Sequence, residues 1–267
     1  MTNEFPKIMG ILNVTPDSFS DGGRFSTSKE AIEYAENMID KGVDILDIGG
    51  ESTRPGSENV SVEEERQRVI PIIKEIKKTF PRSIISIDTT KYEVAASAVE
   101  EGAEIINDVS ALRFSPKIAE LVASKDLSVI LMHMQGNPKT MQNQPKYNNV
   151  VQEVYDFLQD RIEYARNNGI NKIYGDIGIG FGKTLDHNIE LLRNISFFHS
   201  LGVPLVLGIS RKSFLGKLLN IDNPLDRDIP TALMHSLLLD KGIDIIRVHN
   251  IDNIQYLKKL YNIFRKQ

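Results

Sequence analysis

The feature of this sequence that most restricts its fold is an alternation of short apolar runs with helical segments, repeated eight times. The apolar runs are rich in β-branched residues and nearly continuous, with few polar residues inside them. Such runs are typical of parallel strands, because both faces of those strands are covered. We predict strands at residues 8–14, 45–50, 84–89, 105–110, 129–134, 173–179, 204–210 and 245–250.

The segments between these runs have helical period, and five of them end at a glycine just before the next run. Strands that alternate with helices predict a parallel sheet. Eight such units of about 33 residues favour an α/β fold of the closed (β/α)8 TIM barrel type, with an open doubly wound sheet as the alternative. Without a linker or a shift in composition, we predict one domain over residues 1–267. The predicted helices cover residues 28–41, 61–80, 90–101, 148–168, 184–200 and 229–241.

Composition narrows the possible partners. The chain has 32 Lys and Arg against 36 Asp and Glu, a net charge of −4, and no basic block, which argues against nucleic acid. It has no cysteine, so disulfides, thiolate nucleophiles and thiolate zinc sites are excluded. There is no apolar run of about 18 residues and no secretion signal at the start, so we expect no membrane partner and a cytoplasmic location.

Polar residues stand at the carboxyl end of every predicted strand, where a buried apolar strand would not place them. In a barrel, these ends meet at one mouth, which is where barrel enzymes have their active sites. A single polar residue there is often a helix cap, but polar groups at all eight ends predict a polar ligand in the mouth. They are Asn13, Asp47, Asp88, Asn107, Asp108, His133, Asp176, Ser210, Arg211, Lys212, Arg247 and His249.

The side-chain types in this set indicate two kinds of ligand group. Carboxylate, amide and ammonium groups suit a flat heterocycle with a 2-amino-4-oxo edge, because a carboxylate accepts two parallel N–H bonds and an ammonium donates to a carbonyl. Cationic side chains suit a phosphate or carboxylate, although Arg54 could be a solvated loop charge, and Arg247 and His249 could pair with neighbouring carboxylates. The first group is Asp88, Asn107, Asp176 and Lys212, and the second is Arg54, Arg247 and His249.

A glycine-rich segment, GIGFGKT at residues 178–184, lies between a predicted strand and a predicted helix. Its spacing fits neither a P-loop nor the G-x-G-x-x-G fingerprint. We expect it to bring the backbone close to a ligand. The five histidines do not have the spacing of metal ligands.

The run NVTPDSFSDGG, residues 13–23, is long and unusual, and it resembles the dihydropteroate synthase family of folate synthesis. Further matches follow in the family's order over nearly the whole chain. The resemblance implies a (β/α)8 barrel that condenses 6-hydroxymethyl-7,8-dihydropterin diphosphate with 4-aminobenzoate, giving 7,8-dihydropteroate and diphosphate. The other motifs are ESTRPG (51–56), SIDT (86–89), INDVSA (106–111), LMH (131–133), GIGFGKT (178–184), SRKSF (210–214) and RVH (247–249).

The resemblance also implies residue roles. Asp88, Asn107, Asp176 and Lys212 would bind the pterin, and Asn13 would bind a Mg²⁺ that also touches the diphosphate. Arg247 and His249 would anchor the diphosphate, so that the catalytic set is Asp88, Lys212, Arg247 and His249. The groups expected to close over or bind aminobenzoate are Phe19, Thr53, Arg54, Pro55 and Ser213.

Two other functions fit a pterin-binding barrel. One is a methyltransferase that uses methyltetrahydrofolate and a corrinoid protein, which would not need the cationic pair Arg247 and His249. The other is a barrel that binds pterin without catalysis. The family commonly forms homodimers through late helices, and the apolar segment at residues 229–241 suits such an interface or a core-facing helix equally well.

Overall fold

A closed barrel of eight parallel strands forms the centre of the molecule. The computed structural model describes residues 4–14, 28–52 and 59–265. The strands follow one another around the barrel in chain order, and β8 pairs with β1 to close it. The predicted (β/α)8 barrel is therefore confirmed, and the open sheet is excluded. The strands are β1 (Lys7–Asn13), β2 (Ile45–Gly49), β3 (Ile84–Asp88), β4 (Ile105–Asp108), β5 (Ser128–Met132), β6 (Lys172–Asp176), β7 (Leu205–Leu207) and β8 (Ile245–Val248).

Helices surround the barrel and alternate with the strands. Two are followed by short 3-10 helices, Ile195–Leu201 and Leu239–Lys241, and a third 3-10 helix is Pro224–Arg227. Within the described ranges, no helix is long and apolar enough to cross a membrane. The α-helices are α1 (Ser28–Asp40), α2 (Val62–Thr79), α3 (Tyr92–Glu100), α4 (Lys117–Ser124), α5 (Val150–Asn167), α6 (Leu185–Arg193), α7 (Ser213–Leu219), α8 (Asp228–Leu238) and α9 (Ile251–Arg265).

The predicted strands were too long at their carboxyl ends. The largest errors are at β6, predicted to residue 179 but ended at Asp176, and at β7, predicted over residues 204–210 but ended at Leu207. Beyond it, Ser210 and Arg211 turn away from the sheet, and Arg211 has a φ of 59°. The residues beyond the strand ends belong to the loops that form the mouth, where ladder bonds no longer determine the backbone path.

Three helices, α4, α7 and α9, were not predicted. The first two have only eight and seven residues, too few for a helical period to be recognised. The predicted helix over residues 184–200 is two elements, α6 and the 3-10 helix that follows it. Its N-terminus has a clear signal, because the Thr184 side chain accepts from His187 N while the His187 ring bonds back to Thr184 N.

Two hydrophobic clusters determine at which end of the barrel polar side chains can point inward. A large aliphatic core fills the space between the strands and the helices. A second, smaller cluster lies inside the barrel and closes its amino-terminal end. Polar side chains that point inward are therefore confined to the middle and the carboxyl end. The inner cluster consists of Met9, Ile45, Ile105, Ile130, Val206 and Ile245.

Candidate active site

The predicted site residues that fall within the described ranges all lie at the carboxyl end of the barrel, called the mouth below. Strands β1, β3 and β6 end at Asn13, Asp88 and Asp176. The other five residues are near or just beyond the ends of β4, β7 and β8: Asn107, Lys212, Ser213, Arg247 and His249. The predicted aminobenzoate residues Phe19, Thr53, Arg54 and Pro55 lie outside the described residues.

Asp176 and Arg247 face one shared space. Gly208 follows β7 between them, and a Cβ placed on Gly208 would lie 3.7 Å from Asp176 Oδ2 and 3.9 Å from Arg247 Cδ. Any larger residue there would occupy the space between the acid and the base. The two predicted ligand groups, one for the heterocycle and one for an anion, therefore lie side by side at the mouth.

Strand register places the remaining polar groups at one level. Asp88 is paired with Gly49 on one side and with Asn107 on the other. Since register partners in parallel strands point to the same face, Asp88 and Asn107 are neighbours inside the barrel. A Cβ on Gly49 would lie 3.4 Å from Asp88 Cβ and 3.6 Å from Asn13 Oδ1, so Gly49 keeps open the space beside both.

Arg247 is held by two carboxylates. Its Nε donates to Asp47 Oδ2 at 2.5 Å, and its Nη2 donates to Asp88 Oδ2 at 2.7 Å. Asp47 Oδ2 also accepts from Asn107 Nδ2 at 3.1 Å. The alternative in which Arg247 pairs with neighbouring carboxylates is thus present here, but only two of its five N–H donors take part in these bonds. The guanidinium can still receive an anion from the mouth.

Burial controls the charge of Asp88. Removal from water raises the pKa of Asp88 to about 7, although the positive charge of Arg247 acts in the opposite direction. The negative charges of Asp47, Glu65 and Asp108 raise it further. With a pKa of about 7, Asp88 is only partly ionised near neutral pH, and Arg247 keeps that pKa from rising further.

Asp176 and Lys212 are joined through the backbone of the glycine-rich segment. Asp176 Oδ1 accepts from Gly178 N at 2.7 Å, and Lys212 Nζ donates to Ile179 O. Lys212 Nζ also lies 4.5 Å from the centre of the Phe181 ring. Burial raises the pKa of Asp176, opposed by Lys212, and lowers the pKa of Lys212 to about 8, opposed by Asp176. This places a carboxylate acceptor next to an ammonium donor.

Lys183 holds the backbone of the glycine-rich segment in place. The sequence did not predict this contact. Lys183 is 3% exposed, and its Nζ bonds to Gly178 O at 2.9 Å, Phe181 O at 3.1 Å and His133 Nδ1 at 2.8 Å. Burial, with the nearby charge of Lys183, lowers the pKa of His133 to about 2, so this histidine is neutral. Gly178 is required because its φ is 65° and a Cβ would lie 1.9 Å from His133 O.

His249 is oriented by Ser210. The Ser210 Oγ lies 2.9 Å from His249 Nδ1 and accepts from His249 N at 3.1 Å. Tyr34 donates its hydroxyl to His249 O at 2.9 Å, which fixes the backbone at this point. Ser213 is the first residue of α7 and follows Lys212 directly. Ser213 and His249 both lie on the rim of the mouth, close to the ends of β7 and β8.

Asp47 is the main residue of the mouth to which the sequence assigned no role. It is completely buried, and its contacts to Arg247 and Asn107 place it beneath the other polar groups. The available signal was its position inside ILDIG, since an acid within an aliphatic strand covered on both faces needs a buried partner.

The chain is similar to known proteins over most of its length. The family model described as "Pterin binding enzyme" matches residues 9–249. Dihydropteroate synthase of Escherichia coli is 47% identical over 248 residues, which cover 92% of this chain and 87% of that protein. The family-model match includes every described site residue.

Solved structures agree in fold. Yersinia pestis dihydropteroate synthase in a sulfonamide complex superposes with a TM-score of 0.93 at 40% identity, covering 99% of this chain and 96% of that one. Xanthomonas albilineans dihydropteroate synthase with 4-aminobenzoic acid gives a TM-score of 0.91 at 40% identity, covering 100% and 96%. The same enzyme in complex with 7,8-dihydropteroate gives 0.88 at 38% identity, covering 100% and 96%.

Proposed function

This chain belongs to the dihydropteroate synthase family of pterin-binding enzymes, and we propose that its mouth condenses 6-hydroxymethyl-7,8-dihydropterin diphosphate with 4-aminobenzoate. The products are 7,8-dihydropteroate and diphosphate. The observation that carries the proposal is that Asp176 and Arg247 lie beside each other at Gly208, because one substrate has both a 2-amino-4-oxo ring and a diphosphate.

The ring would bind by its polar edge. Asp176 accepts from a ring N–H and the exocyclic amine, Lys212 donates to the ring carbonyl, and Asn107 offers both a donor and an acceptor. The Asp176 and Lys212 side chains are already held by the backbone of the glycine-rich segment. These two side chains therefore lose little conformational entropy when the ring binds, which favours affinity for the pterin.

The diphosphate would depart first. Its growing negative charge is neutralised by Arg247, with His249 on the rim as a second donor. The carbon left behind is a cation conjugated with the dihydropterin ring, and the carboxylate of Asp88 stabilises it. The arylamine nitrogen of 4-aminobenzoate then attacks this carbon, and it needs no strong base because its N–H becomes acidic after attack. The predicted aminobenzoate groups Phe19, Thr53, Arg54, Pro55 and Ser213 keep that role as a prediction.

Mg²⁺ fits this arrangement through Asn13. No cluster of three or more His, Cys, Asp or Glu able to hold a metal ion is present among residues 4–14, 28–52 and 59–265. Mg²⁺ does not require one, since it keeps several waters and commonly uses one or two protein oxygens together with substrate phosphates. Asn13 Oδ1 faces the space kept open by Gly49, beside Asp88. When bound there with the substrate, Mg²⁺ would supply positive charge to the departing diphosphate.

A direct assay tests the function. The full chain is mixed with pterin diphosphate, 4-aminobenzoate and Mg²⁺, and diphosphate release and dihydropteroate are measured. We expect release that depends on aminobenzoate and that falls strongly when EDTA removes Mg²⁺, with recovery on adding Mg²⁺ back. Pterin binding without release would support a non-catalytic barrel. Methyl transfer from methyltetrahydrofolate to a corrinoid protein would support the methyltransferase, and either result overturns the proposal.

A cytoplasmic location and a single domain stay predictions.

We also propose a homodimer through α8 and α9. Each helix carries a row of exposed apolar side chains, and the two helices pack against each other. Extensive exposed apolar surface of this kind is characteristic of protein interfaces. The exposed residues are Ile229, Leu233 and Leu237 on α8, and Tyr256, Leu260, Ile263 and Phe264 on α9.

Charges placed in this surface should separate the subunits. We expect the wild type to behave as a dimer in analytical ultracentrifugation and the variant Leu233→Glu/Leu237→Glu as a monomer, since four like charges would then meet in an apolar interface. The matched control is Ser124→Glu/Asn167→Glu, which adds the same charge to exposed positions of α4 and α5. Equal masses for the two variants would contradict an interface at α8 and α9.

A further inference from the structure

The two carboxylates that hold Arg247 differ in depth and in the atom they bind. Asp47 is 0% exposed and takes Nε, the nitrogen nearest the chain. Asp88 is 9% exposed and takes Nη2, a terminal nitrogen on the mouth side. A ligand that enters from the mouth can therefore compete for the bond to Asp88 but not for the bond to Asp47.

Other contacts also fix the position of the Asp47 side chain. Its Oδ2 accepts from Asn107 Nδ2 as well as from Arg247. Its Oδ1 and the Ser86 hydroxyl are both fully buried without a hydrogen-bond partner among the described residues, and Asp47 and Ser86 are register partners on β2 and β3. One water between them would satisfy both groups. Asp47 is thus held by two different side chains through Oδ2 alone.

We propose that Asp47 is a positioning residue for the reaction: it fixes the guanidinium of Arg247 through Nε, while Nη2 exchanges between Asp88 and the diphosphate of the substrate. This inference rests on the proposed function. It adds a step in which arrival of the diphosphate draws Arg247 away from Asp88. Asp88 then exchanges Arg247 for the pterin, whose developing positive charge becomes the counter-ion of the carboxylate as diphosphate leaves. A single rotation of the Arg247 guanidinium, held at Nε by Asp47, thus links binding of the diphosphate to stabilisation of the cation.

The test is the isosteric variant Asp47→Asn, which keeps the shape and an acceptor oxygen but removes the charge. Calorimetry measures its affinity for the pterin diphosphate and for the bare hydroxymethyl pterin. We expect the first affinity to fall about 10-fold or more, because a buried charge partner of Arg247 is lost, and the second to stay within about 2-fold. A general loosening of the mouth would lower both affinities alike and would overturn the proposal.

A second comparison remains decisive even if Asp47→Asn does not fold. The pair Asp47→Asn/Arg247→Gln removes Arg247 together with one of its two carboxylates. The other, Asp88, has a pKa already raised to about 7 and can take up a proton, so the double variant is expected to fold. If Asp47 acts only through Arg247, this double variant binds pterin diphosphate as Arg247→Gln alone does. Weaker binding by the double variant would show a separate role for Asp47 and contradict the proposal.

The control separates a local effect from the general cost of neutralising a buried acid. Glu65, on α2, is also 0% exposed and pairs with Lys91 at 2.5 Å. Its charge acts on Asp88, but its ion pair is with Lys91 and not with Arg247. Glu65→Gln is expected to lower stability but to leave the ratio of the two pterin affinities unchanged. Wild-type protein that does not bind pterin diphosphate would refute the proposed function, whereas wild-type binding with an unchanged ratio in Asp47→Asn refutes only this inference.

Discussion

Replacement of Asp176 by asparagine is expected to reduce pterin affinity about 100-fold or more, because each charge-assisted bond contributes about 1.5–3 kcal/mol and the ring edge makes two of them. The amide retains one acceptor oxygen, but its NH2 group faces a donor of the ring. Burial raises the pKa of Asp176, so neutralising it removes a buried charge and should not unfold the barrel. Calorimetry with the bare hydroxymethyl pterin measures the loss without involving the diphosphate.

The pH dependence gives a second test of the same residue. The acceptor form is the ionised carboxylate, so wild-type affinity should rise with pH through the raised pKa of Asp176. In Asp176→Asn the part of this dependence that belongs to Asp176 should disappear. The matched control is Asp186→Asn, an exposed acid in the first turn of α6. Unchanged affinity in Asp176→Asn would show that the ring is bound elsewhere in the mouth.

The sequence predicted the barrel and the polar mouth for reasons that are local and repeated. Each strand such as ILDIG is short and aliphatic, and its polar end recurs eight times, so no single error could change the fold. Boundaries were less predictable, because residues such as Ser210 and Arg211 leave the sheet to meet partners from distant parts of the chain. Arg211 bonds Asp228, seventeen residues later, through both Nε and Nη2.

The candidate site was predicted as a set of residues but not as a network. Arg247 and Asp47 are 200 residues apart in sequence, and only closure of the barrel between β8 and β1 brings them together. Lys183 likewise bonds His133, which is fifty residues away in sequence. A sequence pattern indicates which groups have chemistry to offer, whereas pairing between distant strands decides which charges neutralise one another.

Arg247→Ala should have a different effect, because it removes a cation from between two acids. With Arg247 absent, Asp47 at 0% exposure and Asp88 at 9% exposure would both be buried without a counter-ion. Removal of one partner from a buried ion pair costs about 3–5 kcal/mol of the free energy of unfolding. The control Arg265→Ala breaks an exposed pair with Asp240 and should cost about 0–1 kcal/mol. Chemical unfolding at pH 8 measures both losses.

The loss in Arg247→Ala should depend on pH in a defined direction. The folded-state pKa of Asp88 is raised to about 7, so the folded chain binds more protons than the unfolded chain between the ordinary aspartate pKa and that value. Ionising Asp88 therefore costs stability as pH rises through this window. Without Arg247 the pKa of Asp88 rises further, and the variant should lose more stability at pH 8 than at pH 5. An equal loss at both pH values would show that Asp88 is not paired with Arg247.

Arg247→Ala should affect binding of the diphosphate and binding of the pterin ring differently. Arg247→Ala is expected to lower affinity for pterin diphosphate by about 30-fold or more, since truncating one partner of a buried charge pair costs about 2 kcal/mol or more. Affinity for the bare pterin should change far less, because Asp176 and Lys212 are held by the glycine-rich segment and not by Arg247. Equal losses for the two ligands would mean that Arg247 serves the mouth as a whole. Unequal losses would place the diphosphate at Arg247 and the ring at Asp176, on opposite sides of Gly208.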